Sequence, residues 1–203
     1  MEGIPLSRKT VSDAKAEAIR AAVRAAQTLP SGQQISRLAG PDDAAELLDL
    51  LSDPAVHAPI YSLPQPLNMA TVRGFIEQHQ AQRQAGDGLL FVRMDTHSKI
   101  AGYSDVQVWP HWAAAELGGA IRPDMQNQGA GAAGAKTMFD WMFDTLGLDL
   151  ICETAALDNI RTAKLLDHLG FKRKGEIEST RPDGTTRASR VWEVTREDWF
   201  RAR

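Results

Sequence analysis

The sequence predicts an α/β protein built on a mixed, mostly antiparallel sheet. Three observations predict it. β-rich runs follow one another between residues 89 and 121, a strand–helix–strand crossover occupies 114–154, and a hairpin fills 171–194. A meander and a hairpin make antiparallel pairs, and the crossover returns the chain parallel to the strand it left.

The elements follow in order. Ser12 can cap a helix over 13–27 that is rich in alanine, with Ile19 and Val23 its only large apolar residues. So thin a stripe does not fold alone, so this helix is expected to lean on the main domain or on a second copy, which points to a homodimer. Pro30 and Gly32 mark a linker, which divides the chain into an accessory segment, 1–33, and a domain, 34–203. A first strand follows at 34–38. Pro41 opens a helix with Asp42 and Asp43 in its first turn and Ala44, Leu47, Leu48 and Leu51 at helical spacing. Residues 53–66 hold four prolines and read as an irregular loop. Asn68 or Thr71 starts a further helix that ends near Ala85, before Gly86.

Strands are expected at 89–94 and 99–109, turning around 95–98, and at 114–121 after the Trp109-Pro110-His111-Trp112 turn. A helix over 131–146 turns Ala135, Met138, Phe139, Met142 and Leu146 inward and stops at Gly147. A short strand at 150–154 follows, then a helix capped by Asp158 or Asn159 that ends at Gly170. Pro182-Asp183-Gly184 turns the final hairpin, and a short helix begins at Thr195.

The bulk numbers exclude several classes. A chain of 203 residues suits one domain with trimmings, and 43% hydrophobic with 24% charged residues is ordinary globular composition. A net charge of −3 and a pI near 6.0 favour neither nucleic acid nor an anionic membrane. The lone cysteine, Cys152, excludes an internal disulfide and reads as a small buried core residue in a reducing compartment. No apolar run nears the ~20 residues that span a bilayer. No apolar signal core follows Arg8 and Lys9, so a cytoplasmic protein is expected.

The chemistry concentrates in Ile121-Arg122-Pro123-Asp124-Met125-Gln126-Asn127-Gln128-Gly129-Ala130-Gly131. A strand ends there and a helix begins across a Gln-x-x-Gly-x-Gly step. Bare N–H groups at a helix start, beside small residues, suit a phosphate or pyrophosphate, so a phosphate-bearing cofactor and an enzyme are expected. The overlapping run from Gly129 to Thr137 mimics a nucleotide-triphosphate loop. Ala135 intrudes before Lys136, however, and turns that lysine about 100° away on a 3.6-residue helix. The five histidines show no metal-ligand spacing, and no Gly-x-Ser-x-Gly marks a serine hydrolase.

Downstream, Asn159-Ile160-Arg161-Thr162 opens a helix that closes at Gly170-Phe171. The ordered set is Ile121 and Pro123, then Gln126, Gly129 and Gly131, then Asn159 and Thr162, then Gly170 and Phe171. With it the chain resembles the GNAT superfamily of acyl-CoA-dependent N-acetyltransferases over roughly 34–200. Glu116-Leu117-Gly118 and the Asn-x-x-Thr step look most like its ribosomal-protein N-terminal acetyltransferase branch.

That resemblance implies a twisted sheet flanked by helices, with acetyl-CoA held where two parallel strands, 114–121 and 150–154, splay apart. It implies main-chain groups of Ala120 and Ile121 on the pantetheine arm, and N–H groups of Gln126, Gly129, Ala130, Gly131 and Ala132 on the pyrophosphate. Asn159 and Thr162 line the opposite wall. The expected reaction is acetyl transfer to a primary amine, either a protein N-terminus or a small molecule. Such an amine must lose a proton before it attacks, so a base is needed, and Glu116 and Glu153 are the candidates. Many relatives carry a tyrosine acid where this chain has Leu166, which leaves the Thr162 hydroxyl to protonate the leaving thiolate. The acceptor site is expected between the 53–66 loop and the 182–184 hairpin tip, with Tyr61, His57 and the Trp109–Trp112 turn as candidate linings. A rival reading, a non-catalytic acyl-CoA-binding module, rests on the missing tyrosine.

Overall fold

The computed structural model describes residues 3–30, 35–125 and 130–201. Its strands are β1 (Ile35–Leu38), β2 (Gly88–Met94), β3 (Ile100–Trp109), β4 (Ala114–Ile121), β5 (Leu150–Ala156), β6 (Lys172–Thr180) and β7 (Thr186–Thr195). They form one sheet in the order β1-β2-β3-β4-β5-β7-β6, in which every pair is antiparallel except β4–β5. The helices are α1 (Asp13–Ala25), α2 (Ala44–Ser52), α3 (Pro54–His57), α4 (Met69–Ala85), α5 (Ala130–Asp144), α6 (Ile160–His168) and α7 (Arg196–Arg201). This is the α/β architecture with a mixed sheet that the sequence predicts.

Local chemistry sets the boundaries. Ser12 accepts from the Lys15 N–H at the start of α1, Asn68 from Thr71 at α4, and Asn159 from Thr162 at α6. Gly86 ends α4 in the left-handed conformation that a side chain disfavours. One expectation needs correction, because the 53–66 loop is not wholly irregular. Asp53 accepts from the Ala55 N–H at 2.8 Å and Pro54 supplies a pre-set first helical residue, so α3 forms one turn there.

Alternation along the strands separates two faces. On the first, Leu89, Phe91, Val106, Val108, Ala115, Ile151, Trp192 and Val194 bury against residues of α1, α5, α6 and α7. On the second, Leu90, Val92, Ile100 and Tyr103 of the β2–β3 region pack with α2, α3 and α4. Farther along that face, Cys152 and Val191 are covered by Ile4 of the N-terminal segment. The Leu6 and Ser7 N–H groups hold that segment to the Glu193 carboxylate at 2.6 and 3.0 Å.

Ile19 and Val23 are thus covered by their own chain, and α1's stripe no longer calls for a second copy. Ile19 is 1% exposed. Ile19→Ala is expected to cost about 2–4 kcal/mol and to lower Tm by roughly 4–16 °C in thermal denaturation. An unchanged Tm would show that α1 is not part of this core.

Candidate active site

The β4–β5 pair is where the sheet opens. Its parallel register holds only at Ala114↔Leu150 and Ala115↔Ile151, after which the strands part. Two carboxylates stand in the gap. Glu153 accepts from the Leu117 N–H at 3.0 Å, and Thr154 donates its hydroxyl to Glu116 at 2.6 Å. Side-chain contacts therefore replace the main-chain ladder at this point. A right-handed crossover runs its helix antiparallel to its strands, so the first turn of α5 stands at the same end as the opening.

The two glutamates face opposite sides. Glu153 lies opposite Trp192 of the first-face core. Glu116 bonds Thr154, which pairs with Val191 on the second face. Burial raises the Glu116 carboxyl from its ordinary range to about 7; the charge of Asp105 adds to the rise, and the Thr154 hydrogen bonds oppose it. Burial, reinforced by the Glu116 charge, pushes Glu153 well above the ordinary range against the opposing Leu117 N–H.

Behind Glu116 lies a pair that the sequence did not single out. His79 of α4 is buried, with Nδ1 at 2.8 Å from the Phe75 carbonyl oxygen and Nε2 at 3.0 Å from Asp105 Oδ1 of β3. Burial disfavours its charge, but Asp105 and the Phe75 carbonyl outweigh it and raise the imidazole above its ordinary value. With an acceptor at each ring nitrogen, the imidazolium form is favoured.

The other candidates fall as follows. Gln126 and Gly129 lie outside the described residues, while Ala130 and Gly131 begin α5 and Ala132 is half-buried in its first turn. Ala120 turns its carbonyl toward β3, where a Cβ on Gly102 would stand 2.6 Å from it. Ile121 ends β4 directly before the Pro123–Met125 turn. Asn159 spends its side-chain oxygen on the Thr162 N–H at 3.1 Å. Thr162 is half-buried at the start of α6 and bonds neither glutamate among the described residues. Leu166 is core, 2% exposed.

Cys152 is fully buried, and burial pushes its thiol well up, which suits an inert core residue. Of the acceptor linings, Tyr61 lies beneath Arg181 and Arg187 beside the hairpin. His57 bonds the Leu51 carbonyl instead. The Trp109–Trp112 turn precedes β4 at its paired end, where Trp112 lies under Arg8. Among the described residues, no three His, Cys, Asp or Glu side chains gather to hold a metal ion. No helix among them is long and apolar enough to cross a membrane.

A seven-stranded sheet with one splayed parallel pair, its opening flanked by a buried glutamate and a helix start, defines an α/β fold with a cleft between two parallel strands. The chain belongs to the GNAT acetyltransferase family, because residues 35–172 match the Acetyltransferase (GNAT) domain. No curated protein sequence matches it. Ribosomal-protein-S5-alanine acetyltransferase from Vibrio fischeri superposes with TM-score 0.69 at 19% identity, over 86% of this chain and 99% of that one. RimJ of Mycobacterium smegmatis, in complex with CoA-disulfide, does so with TM-score 0.68 at 19% identity, over 84% and 85%. Spermidine N-acetyltransferase from Vibrio cholerae, in complex with CoA and spermine, gives TM-score 0.68 at 16% identity, over 84% and 99%. At such identities the likeness establishes the fold.

Proposed function

We propose that this chain transfers an acetyl group from acetyl-CoA to a primary amine, with Glu116 taking the amine's proton. The observation that carries the reading is a carboxyl raised to about 7 at the mouth of the opening between β4 and β5. A base with its pKa near working pH is ionised often enough to act and basic enough to accept a proton. Solved relatives in complex with CoA support a CoA thioester as the donor.

The opening itself supports this cosubstrate: the β4–β5 register ends at Ala115↔Ile151, so β4 beyond Leu117 borders the gap along its length. Ala120 and Ile121 would border the pantetheine arm, and the main-chain N–H groups of Gln126, Gly129, Ala130, Gly131 and Ala132 would take the pyrophosphate. Bound there, acetyl-CoA would supply an activated acetyl thioester. A main-chain N–H of β4 would steady the carbonyl oxygen.

Glu116 and Glu153 now separate by position. Glu116 faces the half of the sheet bounded by the α3–α4 loop and the β6–β7 hairpin, and we assign it the base. Glu153 faces the first-face core, and we assign it the positioning of β4 through Leu117. Thr162, at the start of α6, is the hydroxyl we offer to the leaving thiolate, with Asn159 fixing that turn. Residues 34–203 would be the catalytic domain and 1–33 its structural accessory, in a reducing cytoplasmic setting.

Release of CoA from acetyl-CoA in the presence of a panel of amines tests the reading. Turnover with at least one peptide or small amine is expected. CoA binding without turnover on any amine would favour the non-catalytic module.

A further inference from the structure

The β6–β7 hairpin carries basic residues with two different fates. Lys172 pairs with Asp198 at 2.6 Å, Arg173 with Asp167 at 2.5 Å and Arg190 with Glu176 at 3.0 Å. Arg181 and Arg187 pair with no carboxylate among the described residues. Both guanidinium groups instead lie over Tyr61, at 4.5 and 4.2 Å from its ring centroid. The Nε atoms of both are buried and make no hydrogen bond among the described residues. Arg187 donates Nη1–H to the Pro59 carbonyl at 3.2 Å.

The acids nearby attract them without forming a direct ion pair. Asp183 is engaged with the Thr185 N–H and hydroxyl, and Asp158 stands beyond ion-pair distance of Arg187. Two like charges held on one ring, partly out of water, have no carboxylate within ion-pair distance among the described residues; Asp183 and Asp158 act on them only at longer range.

Their position is informative. Arg187 shares its strand face with Ser189 and Val191, which oppose Ala156 and Thr154, and Thr154 bonds Glu116. Arg187 also borders an open cavity of about 610 Å³ with Ala58, Pro59, Leu157, Asp158 and Asn159. Arg187 lies four positions along β7 from Val191, roughly 13 Å along the sheet. An amine at Glu116 and an anion at Arg187 are therefore several bonds apart in the same molecule. A single amino acid, with amine and carboxylate on one carbon, is too short. Ser189 and Val191 between the two points are buried, Val191 beneath Ile4, so the acceptor crosses above them, and an extended peptide reaches the arginines with a side chain two or three residues from its N-terminus.

We infer that the acceptor is a peptide N-terminus with an acidic side chain at its second or third residue, held by Arg181 and Arg187 on the Tyr61 ring. This rests on the acetyltransfer reading for the chemistry, but the anion site stands on its own geometry. Aromatic and main-chain contacts pre-set the guanidinium positions, so a carboxylate there restores the missing neutrality. A polyamine would meet two cations at the same place.

The test uses the full chain with CoA bound and two labelled hexapeptides that differ only by Asp or Lys at the third residue. Fluorescence anisotropy reads binding, and CoA release from acetyl-CoA reads turnover. The Asp peptide is expected to bind and react about tenfold or more better than the Lys peptide. In R181Q/R187Q that ratio should fall to about one, and in R181E it should reverse. Equal binding of both peptides by the unaltered protein, or better turnover of spermidine than of either, would overturn the anion site. Arginine-dependent binding of the Asp peptide without acetylation of any amine would uphold it and sink the acetyltransfer reading instead.

Discussion

Glu116→Gln is expected to lower kcat by about 10²–10⁴-fold with little change in acetyl-CoA affinity, because the amide keeps the shape and loses the proton acceptor. The pH profile carries the finer prediction. In the unaltered protein, kcat/KM rises with pH through the titration of Glu116 near 7, since only the carboxylate accepts a proton. In Glu116→Gln that limb disappears, leaving the rise set by the amine itself. If the variant keeps both its rate and the limb near 7, another group is the base.

The same substitution should stabilise the protein, and the sign follows from the direction of the shift. A carboxyl raised from 4.5 to about 7 on folding favours the protonated state. The folded state then loses stability as pH rises from 4.5 to 7, because the ionised form is better solvated in the unfolded chain. The difference amounts to about 2–3 kcal/mol above pH 7, discounted for the partial access of water to this side chain. Glu153 works in the same direction. Thermal denaturation at pH 5 and pH 8 should therefore show Glu116→Gln matching the parent at pH 5 and exceeding it at pH 8. An inactive, stabilised variant is the mark of a site strained for function.

Gly119→Ala is the second large effect. Gly119 has φ +138, and a Cβ there would stand 2.3 Å from the Tyr103 carbonyl oxygen and 3.1 Å from Ser104 Cα, both main-chain atoms of the paired strand. Neither can swing aside as a side-chain tip could. β4 must shift away from β3 or lose pairing, at a cost of about 2–4 kcal/mol. Because β4 also forms one wall of the opening, CoA affinity should fall along with Tm. A variant with unchanged Tm and CoA affinity would show that β3 and β4 do not meet so closely.

Much of the fold was legible because its punctuation is local. Gly86, Asn68, Asn159 and Gly147 bound helices through groups within a few residues of one another, and β4 follows from a turn directly before it. α3 was missed because one helical turn displays no periodicity. The candidate glutamates were legible as residue types on two strands, while their division between faces depended on the register of β5 with β7. The helpers of Glu116 were not legible. Thr154 comes from 38 residues away, and the His79–Asp105 pair joins a helix to a strand 26 residues on. Nothing in a local pattern pairs such positions. Arg181 and Arg187 stood out only once the neighbouring cations were seen to be neutralised.

The claim that unites these points is that acyl-CoA enters the sheet where β4 and β5 part. A crystal structure with CoA tests it most directly. The pantetheine arm is expected between 117–121 and 153–156, with the pyrophosphate at the start of α5. CoA bound elsewhere, with that opening still empty, would contradict it.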